Sequence, residues 1–313
     1  MSVEKYESIK VCHVTSAHSR FDLRIFRKEC ISLVDFGYNV YFIVNDDKLS
    51  EVVEGVKIVS TEFNPRSRLD RWLGSKKYIK RKMSEIDADI YHFHDPDLLP
   101  LAKCIVNKGK KAIFDFHEDV PQQILDKTYI PKIWRRPLSI LYRMYEIYIC
   151  KHLSAIIVSA PHMVENYKRI NSNISVVTNY PILKSIDLNK NRETSKIVCF
   201  AGSIDHRWNH DKIISAINEI DSIEYYLAGD SGTTYFNRLK EIEGWNKVRF
   251  FGRIPFEQVS HIYEKSFVGL ALLGNNELTN EKGTLGITKM FEYMEAGLPV
   301  ICSNFPTWKE IVD

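Results

Sequence analysis

The chain has 313 residues, 44% of them hydrophobic, and a formal charge of +3, which is enough for about two domains with cores of their own. No stretch approaches the ~18 apolar residues of a membrane span, and the opening MSVEKYESIKVCHV lacks the unbroken apolar run of a secretory leader. Six cysteines without CxxC spacing fit reduced, buried thiols in a cytoplasmic protein.

Strand-like runs fall near 9–15, 39–44, 56–60, 89–93, 112–116, 155–159 and 175–178, and helical patterns near 22–36, 69–84, 98–108, 133–153 and 161–169. The scheme repeats with strands near 196–201, 223–228, 247–251, 267–272 and 299–302. Such alternation predicts an α/β protein with parallel sheets covered on both faces. Lys184–Lys196 is polar and aperiodic, so it reads as a linker between domains at 1–185 and 186–313. The first part holds 29 Lys/Arg against 22 Asp/Glu, and the second 14 against 18. That asymmetry predicts an anionic surface met by the first part alone.

In open α/β sheets ligands bind at loops beyond the carboxyl ends of the strands. Those loops here carry His18, Arg20 and Asp22, then His94-Asp95-Pro96-Asp97, then His117-Glu118-Asp119. In the second part they carry Gly202-Ser203, Gly229-Asp230 and Gly252-Arg253. Asp22 reads as the N-cap of the helix after it. Asp95-Pro-Asp97 imitates a DxD metal motif, yet Asp97 suits a turn or N-cap before the helix at Leu98. His92 and His94 alternate beside an aspartate, but no third well-spaced ligand accompanies them, and no metal is expected.

The stretch from Gly286 to Pro306 is the most specific. Thr288 is a plausible N-cap, Lys289 and Glu292 share a helix face, and Gly297 suits a left-handed C-cap with Pro299 just beyond. A helix start bearing a lysine, with an acid one turn on, suits a diphosphate and a sugar hydroxyl. A solvated helix pair is the plainer alternative.

HVTSAHSRFDLRIFRKE, HFHDPDLLP, FDFHEDVP, VVTNYP, FAGSIDHRWNHDKIISAI and ITKMFEYMEAGLPVICSNFP together resemble, in order, a family 4 glycosyltransferase of the GT-B fold. The resemblance covers essentially the whole chain. It implies two doubly wound Rossmann-like parallel-sheet domains facing across a cleft. It also implies retaining, metal-independent transfer from a nucleotide-sugar to a glycan or lipid-linked acceptor, with no cofactor, in surface polysaccharide biosynthesis. By that likeness Glu292 meets the ribose hydroxyls, while Lys289 and the backbone of Gly286 and Ile287 meet the diphosphate. His117 lies at the reacting centre as the candidate catalytic residue, with Glu118 and Asp119 beside it to set its tautomer, and His18, Arg20 and Glu118 lie on the acceptor side.

The chain departs from the pattern twice. Thr284 stands where many relatives have a first glutamate, and Ser203 where an arginine usually follows glycine, so Arg207 and Lys212 are candidate substitutes, with Arg253 nearby. Arg207 reads equally as a solvent-facing loop charge, and His117 as a structural histidine. The second domain is shorter than relatives generally are, so it is expected to be incomplete. A sugar-nucleotide binder that needs a partner, or a nucleotide-sugar epimerase, are the alternative readings.

The basic first part has a use on this reading. Pro65–Lys82 has eight Lys/Arg in eighteen residues, and Lys132–His152 adds Trp134, Arg135, Arg136 and several tyrosines. Both suit an anionic membrane surface; no nucleic-acid recognition motif accompanies the charge.

Overall fold

The computed structural model describes residues 6, 8–127, 129–183, 196–274 and 288–312. The chain folds as two compact units, Met1–Asn179 and Tyr180–Asp313. The expected linker apart from Lys196, and with it Thr284, Gly286 and Ile287, lies outside the described residues.

In the first unit the strands are β1 (Lys10–Val14), β2 (Asn39–Val44), β3 (Glu51–Val53), β4 (Val56–Ser60), β5 (Ile90–Phe93), β6 (Lys111–Phe116), β7 (Ala155–Val158) and β8 (Ile174–Val176). They form one sheet in the order β3-β4-β2-β1-β5-β6-β7-β8, parallel throughout except between β3 and β4. The run KVCHV is buried along nearly its whole length, as a parallel strand covered on both faces must be. Phe93, Phe114 and Tyr167 belong to one core cluster and Phe26, Phe42 and Ile58 to another. The winding reverses between β1 and β5, so the loops after those strands flank the switch point.

Two elements go beyond the periodicity. Strand β3 has only three residues and runs antiparallel, and helix Val120–Asp126 opens on Pro121 with Asp119 as its cap. The helix expected at 22–36 begins as a π-helix, Leu23–Cys30, and continues as α-helix Ile31–Asp35. Asp22 does cap it, its Oδ1 accepting from the amides of Arg24 and Ile25 at 2.9 Å each. The Arg27 amide then reaches back five residues to the Asp22 carbonyl, 3.1 Å away. Such widened turns put residues five apart on one face, and here they bring Arg24 Nε within 3.1 Å of Glu29 Oε1.

The second unit has β9 (Ile197–Ala201), β10 (Glu224–Ala228), β11 (Val248–Gly252), β12 (Val268–Ala271) and β13 (Val300–Cys302). Their order is β11-β10-β9-β12-β13, every pair parallel. Phe200, Tyr225, Tyr293 and Trp308 anchor a single core cluster. Helix Lys289–Glu295 packs directly onto β12, because a Cβ at Gly269 would sit 2.5 Å from the Tyr293 ring. That helix ends as expected: Gly297 takes φ +62°, and the Leu298 amide donates to the Tyr293 carbonyl at 2.8 Å. Its start differs from expectation. Thr288 has helical backbone angles and caps no amide; its hydroxyl instead donates to Glu292 Oε1 at 2.8 Å.

Candidate functional site

The loops after β1, β5 and β6 converge in the first unit. Thr15 Oγ1 and the Ser16 amide donate to Asp95 Oδ2 at 2.5 and 2.7 Å, and Ser16 Oγ donates to Asp97 Oδ1 at 2.8 Å. Asp95, not Asp97, stands at the N-cap position before Pro96, and its carboxylate is spent on the first loop. His18 Nδ1 lies 3.3 Å from Asp95 Oδ1. Burial opposes the His18 imidazolium, but the hydrogen bond and charge of Asp95 outweigh it and raise its pKa. The His18 and His117 rings are 5.1 Å apart, so two of the sequence candidates come together.

His117 Nε2 lies 3.0 Å from Asp115 Oδ2 and 3.3 Å from His94 Nδ1. Its neighbours in sequence do not set its tautomer. Glu118 is exposed and accepts from Gln123, while Asp119 caps helix 120–126 and takes both Nη2 bonds of Arg143 at 2.8 Å. The orienting group is Asp115, fully buried on β6 and held by Arg24 through Nε and Nη2 at 2.8 and 2.9 Å. Burial pushes the Asp115 carboxyl up, but hydrogen bonds from His117, His94 and Arg24 hold it well below the ordinary range. Arg20 is buried and engaged by Asp46, Glu51 and the Leu49 carbonyl, which makes it a clamp on the 46–51 loop. Arg24 and Asp115 escaped the sequence reading because both interrupt apolar patterns without any local motif.

In the second unit the loops after β9, β10 and β11 and the start of helix 289–295 enclose a cavity of about 470 Å³. Gly202, Ser203, Arg253, Lys289 and Glu292 line it, with Gly229 and Tyr263. Tyr263 Oη donates to Glu292 Oε2 at 2.9 Å, so with Thr288 both carboxylate oxygens are fixed. Tyr263 carried no sequence signal, since it sits inside the amphipathic pattern of helix Phe256–Lys265.

Lys289 turns inward rather than pairing with solvent. Its ammonium donates to the Ala201 carbonyl and lies 4.7 Å from the Phe200 ring centre and 5.5 Å from that of Trp208. Burial lowers its pKa, partly offset by the charge of Glu292. Gly202, at φ +157°, leaves no room for a Cβ beside that ammonium, and Gly229, at φ +143°, none beside the Gly202 carbonyl. Arg207 is gripped by Asp205 through Nε and Nη2 at 2.9 and 2.6 Å, and Lys212 is exposed on helix His210–Asn218. Neither lines the cavity.

Two doubly wound parallel-sheet domains in series, with a glycine-walled cavity at a helix start in the second, define a glycosyltransferase of the GT-B class. Residues 11–180 match Glycosyltransferase Family 4, and residues 184–313 match Glycosyl transferases group 1. The chain belongs to Glycosyltransferase Family 4.

Similar solved structures include sucrose-phosphate synthase from Thermosynechococcus elongatus, at TM-score 0.72 and 13% identity over 97% of this chain and 84% of that one. WaaG, a glycosyltransferase involved in lipopolysaccharide biosynthesis, gives 0.66 and 12% over 96% and 83%. The Escherichia coli trehalose-6-phosphate protein bound with UDP-2-fluoro glucose gives 0.61 and 11% over 96% and 86%. Among curated protein sequences none matches.

Proposed function

We propose that the enzyme transfers a sugar from a nucleoside-diphosphate-sugar to a glycan or lipid-linked acceptor of a surface polysaccharide, with retention and without a metal at the diphosphate or any cofactor. The observation that carries this reading is the cavity walled by Gly202 and Gly229 and flanked by Lys289 and Glu292. Glu292, its carboxylate braced by Tyr263 and Thr288, accepts from the ribose hydroxyls. Lys289 swings from the Ala201 carbonyl to the diphosphate, a stronger partner for a buried ammonium. Arg253 and Ser203 at the rim supply further donors. The backbone of Gly286 and Ile287 is assigned to the diphosphate by family likeness alone.

Bond cleavage leaves negative charge on the departing diphosphate, so its stabilisation is worth more than a strong base. His117 acts by positioning a sugar hydroxyl, with His18 beside it on the acceptor side. The bracing of Arg207 by Asp205 and the exposure of Lys212 leave Lys289 and Arg253 as the cations of the cavity wall.

Calorimetry and nucleotide release with UDP-, GDP- and ADP-sugars test the reading. One donor should bind, and Glu292→Ala should weaken it at least tenfold. Binding by none of the three donors, or binding indifferent to Glu292→Ala, removes the assignment of the cavity.

A further inference from the structure

His13, Glu29, His92 and His94 meet beneath the loops of the first unit, and their chemistry is not used by the reading above. β1 and β5 are neighbours in register, with His13 opposite His92, and His94 follows two residues on, directed to the same side of the strand line. The three rings pack together, with centres 4.5–5.2 Å apart. Glu29 reaches them from the π-helix, whose wide turn also sets Arg24 beside it.

The cluster is poorly satisfied by protein alone. His13 is 0%, His94 2% and His92 5% exposed. Yet His92 Nε2 and Glu29 Oε2 are buried without a hydrogen-bond partner, while Glu29 Oε1 is met by Arg24 Nε at 3.1 Å. A neutral imidazole offers one donor and one acceptor, so three of them and a carboxylate cannot close the account among themselves in this arrangement. Leaving such atoms unpaired is costly.

The spacing suits a cation. His13 Nδ1 and His94 Nε2 are 3.0 Å apart, and Glu29 Oε2 is 3.7 Å from the first and 3.8 Å from the second. A point equidistant from these three atoms lies about 2.1 Å from each, within the ~2.0–2.2 Å of zinc–nitrogen and zinc–carboxylate bonds. One ligand atom of each of the four residues lies within 4.8 Å of the others. We propose that His13, Glu29, His92 and His94 hold one divalent transition-metal ion of the zinc class inside the first unit.

Three imidazoles and a carboxylate, with no thiolate, are ligands that suit zinc and its neighbours rather than calcium or magnesium. The outer partners also fit. His94 turns its other ring nitrogen toward Asp115 Oδ2, 3.6 Å away, the carboxylate–histidine arrangement that fixes a metal ligand. Arg24 is shared between Asp115 and Glu29 Oε1, so Glu29 presents its other oxygen, Oε2, toward the histidines. Because His94 and Asp115 both approach His117, the ion is a structural one that stiffens the acceptor-side histidine rather than a participant in transfer.

The site was set aside in the sequence for want of a third ligand. The fold supplies it from β1 and a fourth from the π-helix.

The test uses the full-length untagged chain, produced in zinc-supplemented medium and purified without chelators. Elemental analysis should find about one ion per chain. X-ray absorption should show imidazole-rich nitrogen and oxygen coordination. Glu29→Gln and His92→Gln should each lower the content at least tenfold, while His261→Asn, at an exposed histidine, should leave it unchanged. Metal below a tenth of an equivalent, both as purified and after refolding with added zinc, overturns the proposal in favour of a proton-sharing network. So does an ion retained by both variants, or lost with His261→Asn. If the variants do not fold, the absorption spectrum of the wild type decides: sulfur ligation or absent imidazole overturns the site.

Discussion

His117 depends on a residue two positions before it rather than on the acids that follow it. In β6 the alternation of side chains sends Asp115 into the interior, where Arg24 neutralises it and His117 and His94 share its Oδ2. The sequence made Glu118 and Asp119 conspicuous by adjacency, and only the strand geometry reveals that both face other tasks. His117→Ala should therefore cost transfer about 10²-fold or more, the scale for removing one positioned donor. Glu118→Gln, at an exposed acid that accepts from Gln123, should stay within about threefold. Initial rates over acceptor concentration, with thermal midpoints as a control, measure both; equal losses would return Glu118 to the site. Gly229 makes a second residue-scale case. A Cβ there collides with the Gly202 carbonyl, which is backbone and cannot step aside, and φ of +143° adds strain. Gly229→Ala should lower the thermal midpoint and donor binding together, whereas Glu292→Ala should weaken binding at least tenfold with a smaller change of midpoint.

At the scale of elements, helix Lys132–Cys150 shows an unusual face. Glu146, Ile149 and Cys150 are buried, while Ile133, Trp134, Ile140, Leu141, Met144 and Tyr148 are 52–78% exposed. These positions recur at helical spacing, so they form a continuous apolar stripe beside exposed Lys132, Arg136 and Lys151. An apolar stripe rimmed by cations is the makeup of a helix lying on an anionic bilayer. No helix among the described residues is long and apolar enough to cross one. In the other basic segment Tyr78 stacks on Phe63 at 4.7 Å and Lys82 is drawn to Glu62. Vesicles containing a third phosphatidylglycerol should sediment the protein at low salt, and Trp134→Ser with Ile140→Ser should weaken that at least tenfold. Equal binding to purely zwitterionic vesicles would argue against the charge component.

Elements of this kind were readable because period-2 and period-3.6 patterns survive in single sequences. β3 and helix 120–126 were not, being three and seven residues long. The π-helix was invisible for another reason: a change from four- to five-residue hydrogen bonding leaves no mark in hydrophobic spacing, yet it is what places Glu29.

For the whole molecule, alternation and the order of motifs made the two-domain α/β plan legible. The loops at strand ends were legible as well, because polar residues after apolar runs have few other uses. What no linear reading reaches is burial of charge, and burial sets opposite pH responses in the two units. Glu146 in the first unit is fully enclosed, and burial, partly offset by Arg143 and Tyr167, pushes its carboxyl from 4.5 up to about 7. The folded state then holds a proton that the unfolded chain has released. This contribution is whole below pH 4.5 and is lost as pH rises through about 7. His210 in the second unit, buried against Tyr225, is lowered by burial from 6.5 to about 4. There the unfolded chain gains the proton first, so stability is whole above pH 6.5 and is lost as pH falls toward 4. Each swing is on the order of 3 kcal/mol at full extent.

Between pH 4.5 and 6.5 the two slopes oppose each other, and the wild-type profile should be flatter than either alone. Glu146→Gln keeps an acceptor for the Tyr167 hydroxyl and leaves Arg143 its two bonds to Asp119. Scanning calorimetry of this variant from pH 4 to 8 should therefore show a midpoint that climbs to about pH 6.5 and then levels, since the compensating loss is gone. His210→Gln should show the reverse, a midpoint that declines from pH 4.5 to 7. Parallel profiles for wild type and both variants would mean that neither group changes protonation on folding, and that the buried carboxyl and imidazole are matched by water or a ligand instead.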